Sequence, residues 1–226
     1  VAVDGAGINA GNISRFDILA RSIALNAEVH GQEINMHGGA GQVSYSTLAS
    51  TGNQEDSAPA FAISSSALGG IYGDRIRLLA TEQGVGVNLL APVAAQTGDL
   101  TVSASGEVRY ATLAASGAAT LSSNTAITGS GDLLAGGGLL LNAPQIQLVD
   151  GTVTGRSAVI TADHLQLDSP AAVVAERPDQ QLRINVQSLT NAGRLHGEGG
   201  LTVSAGTIDN SGVISSSRLL MSMLFH

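Results

Sequence analysis

The sequence predicts an all-β protein: a right-handed parallel β-helix, or solenoid, with about 19 residues per rung and an extra-helical strand or loop insertion near 40–70. Apolar residues recur at an interval of 19 positions, alternate with polar residues within that interval, and are mainly Ala, Val, Ile and Leu, with 3% aromatics. A unit of this size cannot bury its own apolar face, whereas stacked units bury one continuous core. The chirality of parallel crossovers favours the right hand.

The 19-residue interval is clearest in the last part of the chain. Seven positions of residues 182–195 match seven positions of residues 201–214 at that offset. The two sets are Leu182, Ile184, Val186, Leu189, Asn191, Gly193 and Leu195, and Leu201, Val203, Ala205, Ile208, Asn210, Gly212 and Ile214. The same offset links residues 139–148 to 158–167, so the repeat is not confined to one pair of units.

The interval also links residues 100–108 to 119–127, and one step lengthens to 24, from Ala158 to Leu182. The longer step contains "DSPAAVVAERPDQQ". Its prolines and charges indicate a loop that bulges from one corner of the solenoid.

Alternation within each unit defines the strands. "LRINV" (182–186) and "LTVSA" (201–205) alternate apolar and polar residues, as strands with one buried face do. Strands of successive rungs then lie parallel at roughly 4.8 Å, and we expect eleven or twelve rungs with a length of about 55 Å. A solenoid of helical hairpins would instead need helical periodicity over longer repeats, and no such stripe is present.

Two equivalent corners, at residues 191–193 and 210–212, carry a repeated Asn-x-Gly. We expect Asn191 and Asn210 to form hydrogen bonds along the stack, as in asparagine ladders. We expect Gly193 and Gly212 to allow a positive φ at the corner. A ligand site at this corner is the less favoured alternative.

Residues 40–70 break the repeat. The segment predicts an extra-helical strand pair or a long loop packed on the tube, and it holds Tyr45 and Phe61. We expect these two rings to cover an apolar flank of the solenoid. The alternative is a contact surface for a host or a transporter.

Composition excludes several functions. The net charge is −8, there is no lysine and no basic run, so the chain lacks the positive footprint that nucleic acid or an anionic membrane requires. No stretch of 18 apolar residues predicts a spanning helix. The absence of cysteine excludes disulfides, thiolate metal sites and cysteine nucleophiles. The chain begins without Met or a signal peptide, and we expect both ends to be cuts through a longer protein.

The candidate catalytic groups are scattered. None of the five histidines is paired at metal-ligand spacing, and each is expected at a turn or on the surface. They are His30, His37, His164, His196 and His226. The sequence therefore predicts no catalytic residue, no metal site, no cofactor and no enzyme.

The acidic residues support the same prediction. At the 19-residue offset no two acids fall on neighbouring rungs in the well-aligned part. A β-helical polysaccharide lyase or hydrolase, the enzyme alternative, needs such acids, either as an acid–base pair or as calcium ligands. We expect Asp74, Glu82 and Asp99 to be corner residues or partners of Arg75 and Arg77.

Two long stretches resemble a known family. Residues 3–39 and 58–108 are similar to the later part of the secretion domain of two-partner-secretion exoproteins, which include the filamentous haemagglutinins and contact-dependent growth-inhibition proteins. The strings that carry the resemblance are Asp17-Ile18-Leu19-Ala20-Arg21, Ala67-Leu68-Gly69-Gly70-Ile71-Tyr72, Ile76-Arg77-Leu78, Thr81-Glu82-Gln83-Gly84-Val85-Gly86-Val87 and Gly98-Asp99-Leu100. Residues 109–226 resemble the family's 19-residue repeats more generically.

The resemblance implies two continuous parts. Residues 1–90 would be the later part of the secretion domain (haemagglutination activity-like), and residues 91–226 haemagglutinin-type repeats. The structural motif residues it implies are Asp17, Ile18, Leu19, Arg21, Gly69, Gly70, Ile76, Arg77, Thr81, Glu82, Gly84 and Gly86. The asparagine-rich start of the secretion domain, the signal peptide and any C-terminal toxin module of the family are missing from this sequence.

The resemblance also implies a function. The chain would be a non-enzymatic, rod-like segment of a large secreted or cell-surface exoprotein of a Gram-negative bacterium, exported by an outer-membrane two-partner-secretion transporter. Its parent would be an adhesin, or alternatively the carrier of a growth-inhibition toxin. The distal partner would be a receptor on a host or neighbouring cell, with carbohydrate as one candidate. A classical autotransporter passenger is a further, less favoured, alternative.

Overall fold

A computed structural model describes residues 1–43, 50–51 and 58–223, and none of them is helical. They form 27 strands. These are β1 (Ala2–Val3), β2 (Ile8–Ala20), β3 (Ile23–Leu25), β4 (Val29–Gly38), β5 (Gln42–Val43), β6 (Ser50–Thr51), β7 (Phe61–Ser65), β8 (Ile71–Gly73), β9 (Arg75–Ala80), β10 (Gly86–Leu89), β11 (Val93–Ala95), β12 (Leu100–Ala104), β13 (Val108–Tyr110), β14 (Leu113–Ala115), β15 (Ala119–Ser123), β16 (Ala126–Gly129), β17 (Leu133–Ala135), β18 (Gly138–Asn142), β19 (Gln145–Leu148), β20 (Thr152–Gly155), β21 (Ser157–Leu167), β22 (Ala172–Ala175), β23 (Leu182–Asn191), β24 (Arg194–Gly197), β25 (Leu201–Asn210), β26 (Val213–Ser216) and β27 (Leu219–Met223).

Parallel pairing arranges all of these strands except β5 and β6 in three sheets that run along the axis. The first sheet contains β1, β3, β7, β10, β13, β16, β19 and the later parts of β21, β23 and β25. The second contains the early parts of β2 and β4, then β8, β11, β14, β17, β20, β22, β24 and β26. The third contains the later parts of β2 and β4, then β9, β12, β15, β18, the early parts of β21, β23 and β25, and β27. The predicted parallel β-helix is confirmed, and its right hand stays a prediction.

Each sheet has one strand per turn, so the described residues build about ten rungs rather than the expected eleven or twelve. At roughly 4.8 Å per rung the solenoid is about 48 Å long. The overestimate came from dividing the chain evenly. Ile34 of rung two pairs directly with Ile76 of rung three, so most of the residues between them add no rung.

The predicted register is confirmed. Leu182 pairs with Leu201, and Leu189 with Ile208. The 24-residue step is also real, because Ala158 pairs with Leu182. The sequence interval therefore measures one turn of the solenoid wherever no loop is inserted.

The core fills the tube between the three sheets with small aliphatic side chains. Tyr110 is the largest fully buried residue. Its ring lies against Gly129 of the next rung, where a Cβ would overlap the tyrosine hydroxyl. The narrow interior therefore accommodates the Tyr110 ring because the residue stacked on that ring, Gly129, has no side chain.

The insertion ends earlier than predicted. β5 and β6 form a separate antiparallel pair, but β7 is already part of the first sheet and its Ala62 and Ile63 are fully buried. Phe61 therefore belongs to rung three, where the Arg109 guanidinium lies 5.4 Å from its ring centre. Tyr45 lies outside the described residues.

Gly193 and Gly212 are required at their corners for a reason other than the expected one. Positive φ angles occur at other glycines, and neither Gly193 nor Gly212 has one. A Cβ at Gly193 would instead overlap the Ala171 carbonyl of the rung below, and a Cβ at Gly212 would overlap that of Gly193. The prediction of positive φ was wrong: these corners need glycine because adjacent rungs approach too closely for a side chain.

Candidate functional site

Three successive corners meet where the chain leaves the solenoid. The third-sheet strands of rungs one, two and three end at Ala20, Gly38 and Ala80. After rung two the chain departs through Gly39 and Gly41, whose φ angles of 146° and 112° favour glycine. We call Arg21, Ala40, Thr81 and Glu82 the exit corner.

Glu82 joins these corners. Its Oε1 accepts a hydrogen bond from Arg21 Nη2 at 2.8 Å and its Oε2 one from Arg21 Nε at 3.2 Å. The same Oε2 accepts the backbone N–H of Ala40 at 3.0 Å. One carboxylate therefore links rung three to the corners that follow rungs one and two.

The environment keeps this carboxylate charged. Glu82 is 5% exposed. The hydrogen bonds from Arg21 lower the pKa of Glu82 below its ordinary value, and they outweigh the burial that would raise it. Glu82 is a corner residue, as expected, and its charged partner is Arg21 of a neighbouring corner rather than Arg75 or Arg77 of the preceding strand.

The other two acids of that expectation lie at corners. Asp99 Oδ1 accepts the backbone N–H of Ala118 at 2.8 Å on the next rung. Asp74 is exposed, and its backbone carbonyl accepts the N–H of Gly98 at 2.8 Å. Both residues therefore organise turns, as expected.

His37 lies beside the exit corner and is buried, so its predicted surface position was wrong. By register it lies on the outer side of the third sheet, between Leu19 and Leu79, yet it is only 1% exposed. Its Nε2 is 3.0 Å from Thr81 Oγ1, and its Nδ1 has no hydrogen-bond partner within the described part of the chain. Burial, and then the charge of Arg77, lower the pKa of His37 and favour the neutral ring.

A second group of polar side chains is hydrogen-bonded on the same face in rungs one and two. Asp17 Oδ1 accepts hydrogen bonds from Arg15 Nε at 2.9 Å and Asn35 Nδ2 at 2.8 Å. Asn35 is 5% exposed and also donates to Glu33 Oε1 at 3.3 Å. Asp17, Asn35 and Arg77 stack in register. The structure thus brings the motif residues Asp17, Arg77, Thr81 and their neighbours onto one face.

The remaining motif residues lie elsewhere. Ile18 and Ile76 are core residues, and Leu19 is exposed. A Cβ at Gly69 would overlap the Leu25 carbonyl, one at Gly70 would meet the Tyr72 ring, and one at Gly86 would overlap the Glu107 carbonyl. Gly84 instead has a positive φ of 74°. Each of these glycines serves local backbone geometry.

The Asn-x-Gly corner forms a second polar feature, in rungs nine and ten. Asn191 is fully buried, and its Nδ2 donates to Asn210 Oδ1 at 2.6 Å. Asn191 Oδ1 has no hydrogen-bond partner within the described residues. His196 Nδ1 lies 2.9 Å from Ser215 Oγ in the next rung, so this histidine takes part in an inter-rung contact.

The other histidines lie apart from one another. His30 stacks on Tyr72 at 5.1 Å, and its Nε2 is 2.9 Å from Glu28 Oε2. His164 Nδ1 is 2.7 Å from Ser188 Oγ. His226 lies outside the described residues.

The chemistry available to the exit corner is binding and positioning. Within residues 1–43, 50–51 and 58–223, no three His, Asp or Glu side chains are grouped to hold a metal ion. Glu82 and Glu107 have lowered pKa values, so both are ionised at neutral pH and neither is suited to donate a proton as a general acid.

Sequence reasoning missed His37, Asn35 and the Ala40 N–H. Strand alternation places both side chains outward, which predicts exposure. The one available signal was their position in "EINMHGG", directly before the break in the repeat.

Comparison with known proteins gives a consistent result. Residues 1–110 match the model of the TPS secretion domain family. The comparison with solved structures found no match to this chain. No helix in the described part of the chain could cross a membrane.

Several curated proteins are similar to the chain. The tRNA nuclease CdiA-2 of Burkholderia pseudomallei is 40% identical over 48% of the chain and 4% of its own length. The 16S rRNA endonuclease CdiA of Enterobacter cloacae is 33% identical over 99% of the chain and 6% of its own length. The tRNA nuclease CdiA of Escherichia coli O6:K15:H31 is 30% identical over 95% of the chain and 7% of its own length. The chain therefore spans less than a tenth of the length of these relatives.

Proposed function

This chain belongs to the two-partner-secretion exoproteins, and we propose that it is the segment in which the secretion domain of a large exported protein continues into a non-enzymatic rod. The observation that supports this proposal is the strand register around residue 110, where the family match ends. Val108, Arg109 and Tyr110 pair with rung four on one side and rung six on the other, without a bulge. A load applied along the axis would therefore cross this boundary through ordinary parallel pairing.

The proposed division follows the sequence prediction, with residues 1–90 as secretion domain and residues 91–226 as repeats. The family match reaches residue 110. We therefore propose that the secretion part and the repeat part differ in sequence character and belong to one solenoid. The exit corner lies entirely in the first part. We propose that it fastens rungs one to three as the base on which later rungs stack.

The proposed route is export through an outer-membrane transporter to the bacterial surface or beyond. The family match supports this route, because its description is a secretion domain. The absence of cysteine also supports it, since a disulfide formed in the oxidising periplasm would obstruct a threaded chain. A solenoid can fold rung by rung as it emerges, because each rung contacts only its neighbours.

Two roles for the rod follow from two kinds of parent. In an adhesin it displays a domain that binds a surface receptor, with carbohydrate as one candidate. In a growth-inhibition protein it carries a toxin, and the names of the relatives, which are nucleases, favour this second role. Nuclease activity belongs to those whole proteins. For this segment the scattered acids and lowered carboxyl pKa values support a non-enzymatic role over that of a polysaccharide lyase or hydrolase.

The test uses the full-length parent co-expressed with its transporter. Deleting residues 119–157 removes two complete turns, because Ala119, Leu139 and Ala158 are in register. The rod should shorten by about 10 Å and still be exported. A matched deletion of residues 119–147 removes one and a half turns and should prevent folding of the rod.

Loss of export in the register-preserving deletion, at the same level as in a deletion of residues 1–110, would contradict the division into a secretion part and a rod part. Growth-inhibition and adherence assays on the exported parent then separate the toxin carrier from the adhesin.

A further inference from the structure

The outer surface carries a groove that the proposed rod does not use. It follows the corner after the third sheet in rungs five to seven and has a volume of about 510 Å³. Its lining includes Asn124, Asn142, Thr161 and Asp163, with Ala143 and Pro144 between them. This volume is within the range of about 300–1,000 Å³ that is typical of small-molecule sites.

Two polar groups of this groove belong to a longer column of polar residues on the same face. One outward column runs through Ser103, Ser122, Asn142, Thr161, Asn185, Ser204 and Ser222. Its ends are hydrogen-bonded between rungs, Ser122 to Ser103 at 3.0 Å and Ser204 to Ser222 at 3.1 Å. In the middle of the column, the side chains of Asn142, Thr161 and Asn185 make no hydrogen bond to any described residue, and Asn142 and Thr161 are the two of them that line the groove. They are exposed and open to a ligand.

The backbone of the groove is already paired. The Ala143 N–H donates to the Thr161 carbonyl at 3.2 Å, and the Pro144 carbonyl accepts the N–H groups of Asp163 and His164 at 2.9 and 3.0 Å. An extended peptide that binds by adding a strand needs free backbone groups at a sheet edge. The groove offers side chains instead.

The charge of the groove excludes further classes of ligand. Asp163 is its ionisable lining residue, and Gln187 Nε2 donates to Asp163 Oδ1 at 3.1 Å. Two other surface grooves contain arginines, Arg75 in one and Arg183 in the other. A groove with a carboxylate and no lining cation repels anionic ligands. A single carboxylate is also too few for a calcium site.

We propose that this groove binds a neutral oligosaccharide. Sugar hydroxyls donate and accept hydrogen bonds, which matches the carboxamides of Asn124 and Asn142 and the hydroxyl of Thr161. The exposed ring of Pro144 provides apolar surface for the C–H faces of the sugar rings. The groove runs across three rungs, so the oligosaccharide lies along the solenoid axis. This proposal goes beyond the rod function, and export and rod assembly do not depend on it.

The experiment titrates the 226-residue chain with maltohexaose, cellohexaose and chitohexaose, with a hyaluronan hexasaccharide as the anionic comparison. Saturation-transfer NMR detects the weak binding that a groove without aromatic rings provides. We expect at least one neutral hexasaccharide to bind and the anionic one to bind more weakly. The N142A/T161V double variant should weaken binding at least about fivefold, since each lost hydrogen bond contributes about 1 kcal/mol.

Two matched controls isolate the groove. The controls are Thr202→Val and Asn88→Ala. Thr202 lies on the same face as the groove, two rungs beyond it, and Asn88 lies on the first sheet. Both should bind as the unchanged chain does. A further variant, Asn124→Ser, gives a second measure of the groove should N142A/T161V alter the fold, which circular dichroism would reveal.

Three results would overturn the proposal. They are the absence of binding by every neutral hexasaccharide, equal binding of the anionic one, and unchanged binding in correctly folded groove variants. The deletion of residues 119–157 described above removes most of the groove, so intact export of that variant distinguishes this proposal from the rod function.

Discussion

Rungs one to three and rungs eight to ten hold their corners together by different means. At the exit corner, the charged pair of Arg21 and Glu82 connects rung one to rung three, past the corner at which the chain leaves. In rungs nine and ten, side-chain contacts bridge single steps: Asn191 to Asn210 at 2.6 Å and His196 to Ser215 at 2.9 Å. The difference follows the regularity of the chain, because the later rungs repeat at close to one interval and the early ones do not.

The comparison shows what an interruption requires of a solenoid. Where each rung stacks directly on the next, backbone pairing and short side-chain contacts suffice, since every corner has an equivalent corner one step away. Where the chain departs, as at Gly39, the rungs on either side lose that equivalent corner. A carboxylate with two donors spans the larger gap, and its cost of burial is offset by those donors.

The largest effect should come from removing the charge of Glu82. Glu82→Gln keeps the size of the side chain but weakens both Arg21 contacts, and we expect a loss of about 2 kcal/mol in the free energy of unfolding. Arg21 is about one-third exposed, so water screens the pair and the loss stays below that of a fully buried one. Denaturant unfolding monitored by circular dichroism measures it.

The matched control is Glu107→Gln. Glu107 accepts hydrogen bonds from Arg109, two residues along the chain, at 2.8 Å and from Thr128 of the next rung at 2.9 Å, and it is more exposed than Glu82. Its loss should be no more than about 1 kcal/mol. Equal losses of unfolding free energy for the two variants would contradict the comparison. The pair of Arg21 and Glu82 would then gain nothing from spanning two rung steps.

The next largest loss of stability should come from a side chain added where the corners of adjacent rungs approach closely, as at Gly193. Gly193→Ala places a methyl group against the Ala171 carbonyl, and we expect a loss of about 1–2 kcal/mol, in the lower part of the range for overpacking. Gly5→Ala is the control for positive φ alone, because Gly5 has a φ of 67° with open space around its Cα. It should cost about 1 kcal/mol. Thermal unfolding of both variants separates the two causes, and a neutral Gly193→Ala would refute the close-approach explanation.

Acidification should weaken the early rungs before the late ones. The folded-state pKa of His37 is lowered, so the unfolded chain binds more protons, and stability is lost as the pH falls below about 6.5. The lowered pKa of Glu82 gives stability that is present above its unfolded value of about 4.3 and is lost as the pH falls through the folded value. Unfolding measured from pH 7 to pH 3 should show both phases, and His37→Gln should remove the first. A His37→Gln profile identical to that of the unchanged chain would contradict this assignment.

The smallest effect is expected at Tyr110. Its buried hydroxyl has no hydrogen-bond partner among the described residues, and burial raises its pKa far above the ordinary value. Tyr110→Phe should therefore be neutral or stabilise the chain by up to about 1 kcal/mol. It should also remove the loss of stability that the unchanged chain shows above about pH 10, where only the unfolded tyrosine ionises. A clearly destabilised variant would indicate that the hydroxyl has a partner.

The regular part of the fold was predictable because one signal repeats there. Leu182 and Leu201 pair as the offset requires, and so do Asn191 and Asn210. Each repeat confirms the others, so single irregular residues do not obscure the register. The number of rungs was overestimated because the interval does not tell which residues leave the solenoid between Ile34 and Ile76.

The exit corner was predictable in its members but not in its contacts. The family resemblance indicated Arg21, Thr81 and Glu82, yet nothing in the local sequence pairs Arg21 with an acid two rungs away. His37 was misplaced for a related reason. Strand alternation tells which side of the sheet a residue occupies, but not whether something covers that side.

The central claim is that one carboxylate couples the first three rungs, and native-state hydrogen exchange of the unchanged chain and Glu82→Gln tests it most directly. The account predicts that amides of rungs one, two and three lose protection together in the variant, while amides of rungs eight to ten keep theirs. A loss confined to the amides near Ala40 and Glu82, or one spread evenly over all ten rungs, would contradict it.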